Sequence, residues 1–206
     1  MNTQKKQQIR IILGSSSPRR KEILTEMGYQ FEVLKPAYQE KYDPKFTAEE
    51  YVLHNAIEKG HWIVNSLGNE LNKPTLVLSA DTIVVYKEQI LEKPKDQEHS
   101  LQMLETLSGQ THCVMTAYSI NFYQTNTKKW HQIESKVIKT LVTFNHISKE
   151  KIIDYIKTGE PADKAGSYGI QGMGSFLVKN INGSLSNVIG LPKDEVKQAI
   201  QSIINI

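Results

Sequence analysis

The 206-residue sequence has a single cysteine, Cys113. No disulfide framework can form within one such chain, which fits a reducing compartment. Long apolar runs are also missing. The first ten residues are mostly polar and basic, and the run that follows is only Ile11-Ile12-Leu13. That is too short for a signal-peptide core, and no segment approaches the roughly 18 apolar residues of a membrane span. The expected protein is soluble, cytoplasmic and free of any membrane partner. The six histidines never fall into His-x-x-x-His or Cys/His spacing, which leaves no zinc pattern. Gly-x-x-x-x-Gly-Lys-Ser/Thr, Gly-x-Gly-x-x-Gly and Gly-x-Ser-x-Gly are absent, so P-loop, Rossmann and serine-hydrolase readings lose their support. Lys and Arg are spread along the chain and the net charge is only +3. A nucleic-acid binder usually shows a dense basic stripe, so no nucleic-acid partner is expected.

What is present is an ordinary globular composition, 39 % hydrophobic and 23 % charged. The length suffices for one sizeable core or two small lobes. No internal repeat, low-complexity stretch or linker divides the chain, so residues 1–206 are expected to form one domain. Ile11 to Gly14 reads as a buried strand running into Ser15-Ser16-Ser17-Pro18-Arg19-Arg20. Proline suits the first turn of a helix, and a serine before it can cap. That helix is expected to run to about Met27 and stop at Gly28. Phe31 to Leu34 reads as a strand. Thr47 and Glu50 form a capping-box pattern ahead of Val52, Ala56, Ile63 and Leu67 at helical spacing.

Thr75 to Tyr86 is the clearest strand, apolar on both faces and therefore central. Further helices are expected at Gln97 to Leu107, after Ser148, and from Pro192. Further strands are expected at His112 to Tyr123, Ser135 to Phe144 and Phe176 to Ile181. Strands and helices are mixed rather than strictly alternating, which predicts an α/β or α+β fold around a mixed sheet.

Asp81 interrupts the central strand. A carboxylate there is costly unless it is paired, metal-bound or at a cleft. Ser15 to Arg20 combines hydroxyls, two guanidiniums and a helix N-terminus, a combination suited to phosphate. The plain alternative is a capped helix with two solvated arginines. Lys87-Glu88-Gln89 could turn the chain back in a longer loop, bringing Lys93 toward the sheet end that holds Asp81. Glu160 to Gly174 is a glycine-rich loop, either a ligand-approach segment or a turn between strands.

Ser15-x-Ser17-Pro18-Arg19-Arg20, Ser79-Ala80-Asp81-Thr82, Glu92-Lys93-Pro94, Leu107-Ser108-Gly109-x-x-His112 and Asp163-Lys164-Ala165-Gly166-x-Tyr168-Gly169-Ile170-Gln171-Gly172 stand in this order. With Ile181-Asn182-Gly183-Ser184 and Val188-x-Gly190-Leu191-Pro192, the set resembles the Maf family from Ile11 to about Pro192. The resemblance implies an α/β fold like that of inosine-triphosphate pyrophosphatases: a mixed, twisted sheet in two lobes with a central cleft. It implies hydrolysis of a nucleoside triphosphate to the monophosphate and pyrophosphate with Mg²⁺ or Mn²⁺. The Asp163 to Gly172 segment is similar to the branch that acts on dTTP and UTP.

On that resemblance Asp81, Glu40 and Lys93 are the catalytic candidates, with Asp81 and Glu40 holding the metal. Ser15, Ser17, Arg19, Arg20, Lys59, Thr82, Asp163, Lys164 and Gln171 are the substrate-binding candidates, with Gln171 reading the base. After Phe31 many relatives carry an acidic run ending in Asp-Glu. Here Ala37-Tyr38-Gln39-Glu40 leaves Glu40 alone. A homodimer is a family expectation. The rival reading is a nucleotide-binding regulator of cell division, in line with the family's septum-formation label.

Overall fold

The structure is a computed structural model that describes residues 9–204. The polar stretch at the N-terminus lies outside the described residues, apart from its last two. The strands are β1 (Arg10–Gly14), β2 (Glu32–Val33), β3 (Thr75–Tyr86), β4 (Gln89–Leu91), β5 (Thr111–Gln124), β6 (Lys129–Phe144) and β7 (Val178–Asn182). The helices are α1 (Pro18–Glu26), α2 (Ala48–Leu67), α3 (Gln97–Leu107), α4 (Lys149–Lys157), α5 (Leu185–Ile189) and α6 (Lys193–Ile204).

All strands join one sheet in the order β2-β1-β3-β5-β6-β7, with β4 on β3. β1 runs parallel to β2 and β3, and every other pairing is antiparallel. The expected mixed sheet is therefore observed. Its strands serve two lobes. On one face of β3, Leu76, Leu78 and Ala80 pack with Ile23 and Leu24 of α1 and Val196 and Ile200 of α6. Further along the same face Val84 packs with Leu104, Phe144, Ile152 and Tyr168. Thr82 falls between these two cores. The other face is covered by α2, whose Val52, Ala56 and Ile63 are fully buried.

The helix starts follow the sequence signals. Ser17 caps α1 by accepting from the Arg20 amide, and Pro18 opens it. Thr47 and Glu50 close the complete capping box of α2. Several boundaries differ. β6 begins at Lys129 rather than Ser135, because it pairs with β5 along its whole length. Phe176 lies in a 3-10 turn (Gly172–Leu177), so β7 begins at Val178. The glycine-rich loop holds two more such turns, Glu160–Asp163 and Ala165–Ser167. The expected longer loop after Tyr86 is instead a tight hairpin. Tyr86 pairs with Gln89, and Lys87 and Glu88 both adopt positive φ, at 47° and 65°. A two-residue turn of this hand needs both central residues there, and Asn-Gly only makes it cheaper.

Candidate active site

The site lies at an interruption in strand pairing. On one side of β3, β5 pairs from Thr75 to Val85. On the other side β1 stops at Gly14, opposite Ser79, and the antiparallel β4 stops at Leu91, opposite Val84. Among the described residues, Ala80 to Ile83 thus have no strand partner on that edge. Asp81 and Thr82, adjacent and on opposite faces, both become reachable there. A cleft of about 520 Å³ opens at this edge, and every site residue named from the sequence lines it.

Asp81 is 6 % exposed and projects toward α2. Its Oδ1 accepts from Lys59 Nζ at 2.6 Å, and its Oδ2 accepts from Asn55 Nδ2 at 3.2 Å. Lys59 Nζ also meets Glu40 Oε1 at 2.5 Å. The ammonium therefore sits between two carboxylates, one buried and one open to solvent. Asn55 and Lys59 are one helical turn apart on the inward side of α2, so the helix delivers both to Asp81. Tyr38 Oη donates to Asn55 Oδ1 at 3.2 Å and ties down the loop that carries Glu40. Neither Asn55 nor Tyr38 stood out in the sequence. A polar residue amid α2's apolar positions, four residues before Lys59, was the available signal.

Arg20 is buried, and each guanidinium nitrogen is engaged. Nε donates to the Gly190 carbonyl (2.8 Å), one terminal nitrogen to the Ala80 carbonyl (2.8 Å) and Ser15 Oγ (3.1 Å), and the other to Thr82 Oγ1 (3.0 Å). Ala80 is the first residue past the end of β1, so Arg20 replaces the missing strand donor. Burial pushes this guanidinium's pKa down, and Asp81 partly restores it. Thr82 Oγ1 also bonds Thr116 Oγ1 at 3.0 Å, and Thr116 donates to the Asn187 carbonyl at 2.8 Å. Ser15 Oγ takes a further bond from the Ser17 amide at 3.2 Å. These contacts hold the Ser15 to Arg20 turn against β3.

Arg19, by contrast, is partly exposed and reaches across the cleft toward Asp163 at 3.8 Å. Partial burial pushes the Asp163 carboxyl up, but Lys164 at 2.7 Å and Arg19 hold it below the ordinary value. Lys164 also donates to the Glu160 carbonyl at 2.5 Å. Lys93 is exposed at the cleft, carried there by the β3–β4 hairpin. Beside it Glu92 Oε1 accepts from Tyr51 Oη at 2.7 Å, and its carbonyl accepts from the Gly166 amide at 3.1 Å. Gly166 has φ +66°, and an added Cβ would lie 2.8 Å from Val84, so this turn requires glycine. Gln171 is exposed in the lining of the cleft.

The cleft thus holds a lysine-bridged carboxylate pair, Asp81 and Glu40 on Lys59, with Arg19 and Lys93 as separate cations in its lining. The model of the Maf-like protein family matches residues 10–203, and the chain belongs to that family. A dTTP/UTP pyrophosphatase of Vibrio parahaemolyticus is 42 % identical over 200 residues, covering 97 % of this chain and 100 % of the relative. One from Shigella dysenteriae is 42 % identical over 192 residues, covering 93 % and 92 %. A nucleoside triphosphate pyrophosphatase of Shigella flexneri shows the same identity and coverage. Among solved structures, a HAM1 protein from Coxiella burnetii covers 96 % of this chain and 99 % of its own at 12 % identity, with a TM-score of 0.41.

Proposed function

We propose that this chain is a nucleoside triphosphate pyrophosphatase acting on dTTP and UTP. The products are the nucleoside monophosphate and pyrophosphate. Identity of 42 % to relatives of that name, along nearly their full length, supports the reading. The observation that carries it is the placement of Asp81 and Glu40 on one ammonium, in a cleft whose rim carries Arg19 and Lys93.

A divalent ion fits this donor set. Asp81 and Glu40 offer only oxygen, and their oxygens already converge on a cation. No group of three or more His, Cys, Asp or Glu gathers among the described residues. The remaining positions would fall to phosphate oxygens and water, which Mg²⁺ and Mn²⁺ accept. Held by Asp81 and Glu40, such an ion would neutralise phosphate charge and acidify the attacking water.

The chain's own residues do the rest. Asp81 takes a proton from the water that attacks the α-phosphorus. A new P–O bond forms, the α–β bridging P–O bond breaks, and pyrophosphate leaves with the electron pair. Arg19, Lys59 and Lys93 neutralise the charge that builds on the leaving group. Ser15, Ser17, Asp163 and Lys164 line the phosphate path, and Arg20 holds Ser15 and Thr82 in place. Gln171 offers an amide donor and acceptor to a pyrimidine edge. No helix among the described residues is long and apolar enough to cross a membrane. On the family resemblance, the enzyme would act in the cytoplasm as a homodimer.

The test is a panel of dTTP, UTP, CTP, GTP and 7-methyl-GTP with Mg²⁺, Mn²⁺ or EDTA, with products resolved. Metal-dependent pyrophosphate release from dTTP or UTP is expected. Cleavage of 7-methyl-GTP alone overturns the base assignment. Tight binding without turnover overturns the enzyme in favour of a nucleotide-binding regulator.

A further inference from the structure

Gln171 sits at the exposed apex of a short hoop, residues 169 to 174, whose two ends are fastened to one carboxylate. Glu160 Oε2 accepts from the Met173 amide at 3.0 Å, and Oε1 accepts from the Gly174 amide at 3.2 Å. Oε1 also accepts from Tyr155 Oη at 2.9 Å. Tyr155 Oη in turn accepts from the Gly169 amide at 3.0 Å. One end of the hoop is thus held by Glu160 directly and the other through Tyr155. The hoop's glycines make room for the carboxylate. A Cβ on Gly169 would lie 2.8 Å from Oε1, and one on Gly172, at φ +73°, would lie 3.2 Å from Oε2. Burial pushes the Tyr155 phenol well above its ordinary value, which keeps it a neutral donor to the carboxylate.

A carboxylate offers acceptors on both oxygens, and charge-assisted bonds to it are roughly twice as strong as neutral ones. An amide at the same place would face at least one N–H with its own donor. A base reader on a glycine-rich hoop would otherwise be free to sample many backbone states. We propose that Glu160, with Tyr155 as its relay, is a positioning residue that fixes the Gln171 hoop and thereby sets base selectivity. The inference rests on the pyrophosphatase reading above, with Gln171 meeting the base. The Glu160 carboxylate bonds only Tyr155 and the hoop amides among the described residues, and Glu160 does not line the cleft that holds Asp81 and Glu40. Its loss therefore falls on recognition of the base more than on bond cleavage.

The experiment compares wild type, Glu160→Gln, Tyr155→Phe, Gln171→Ala and the Glu160→Gln/Gln171→Ala double variant. Pyrophosphate release from UTP and CTP gives kcat and KM for each, and deuterium uptake is followed over residues 169–174. Displacement of a substrate-positioning group by about 1 Å can cost up to about a hundredfold. Glu160→Gln is expected to lower the UTP-over-CTP ratio of kcat/KM by roughly ten- to a hundredfold. Most of the change should appear in KM, and uptake should rise in the hoop but not in β3 or β5. Tyr155→Phe should do the same more weakly. In the Gln171→Ala background, Glu160→Gln should have no further effect on the ratio. A uniform fall in kcat for both nucleotides with an unchanged ratio overturns the proposal, as does an additive double variant. If the wild-type protein cleaves neither nucleotide, the underlying reading fails. Unchanged hoop uptake in Glu160→Gln would then overturn the positioning role by itself.

Discussion

Arg20 tests how the cleft is held open. Replacing it with methionine removes the donors to the buried Gly190 and Ala80 carbonyls and to Ser15 and Thr82. A buried acceptor left without a partner costs about 1–3 kcal/mol, and there are two such carbonyls. Asp81 also loses a nearby positive charge. Against this, burying methionine avoids the cost of desolvating a guanidinium, which is large. Two orphaned carbonyls cost about 2–6 kcal/mol, and the desolvation gain lowers the net expected loss to about 2–4 kcal/mol, since Asp81 keeps Lys59 and no buried charge is left unpaired. For a domain of this size that is a drop in Tm of roughly 10 °C. Arg20→Lys keeps the charge but not the planar fork, and one ammonium cannot reach both carbonyls and both hydroxyls. It should recover less than half of the loss. Urea unfolding by linear extrapolation, with equal m-values for the three proteins, measures this. A methionine variant within about 1 kcal/mol of wild type refutes the view that Arg20 substitutes for a strand partner. A fully stable lysine variant shows instead that charge, not the geometry of the fork, is what β3 requires.

Three further outcomes follow from the same geometry. Asp81→Asn should retain the circular dichroism of wild type and lose about 10²- to 10⁴-fold in kcat for UTP, the range for a missing proton acceptor; near-normal turnover would remove Asp81 from the chemistry. Gln171→Glu exchanges an amide donor for an acceptor, so preference among UTP, dTTP and CTP should shift in the product panel; an unchanged preference would mean that Gln171 does not read the base. The His112 imidazole is pushed down to about 4 by burial beside Phe144 and Tyr168. The unfolded chain therefore binds this proton from about pH 6.5 downward while the folded chain does not. Stability from this group is fully present above pH 6.5 and falls by about 2 kcal/mol on going to pH 5. Urea midpoints at the two pH values should show that drop in wild type and a smaller one in His112→Gln; equal drops would place the pH dependence elsewhere.

Most of the order of elements was legible because it rests on local signals; β4 and α5 carried none that was read. The Thr47–Glu50 capping box, Pro18 at a helix start and the twelve-residue apolar strand each carry their own physical cause, and the structure contains all three. The tight Lys87–Glu88 turn was not legible, because neither residue favours positive φ. The hairpin exists because Val84 to Tyr86 have a strand edge to fill, and Gln89 to Leu91 fill it. The same reasoning explains the site. Sequence marked Asp81 as costly in a central strand. What makes it tolerable is the Lys59 ammonium and Asn55 amide that α2 brings to it; what makes it reachable is the stretch between Gly14 and β4 where β3 has no neighbour among the described residues, and that is set by where two other strands stop. The length of a strand pairing is a property of three segments far apart in the chain, and no window of residues contains it. Asn55 was missed for a related reason: it sits among the inward positions of α2 and acquires meaning only opposite Asp81. Arg19 and Arg20, adjacent and chemically alike, divide in the same way. One is buried and spends its donors on carbonyls and hydroxyls, and the other faces the cleft. Their roles are decided by the direction each side chain leaves the first turn of α1, and a pattern of residue types does not record direction.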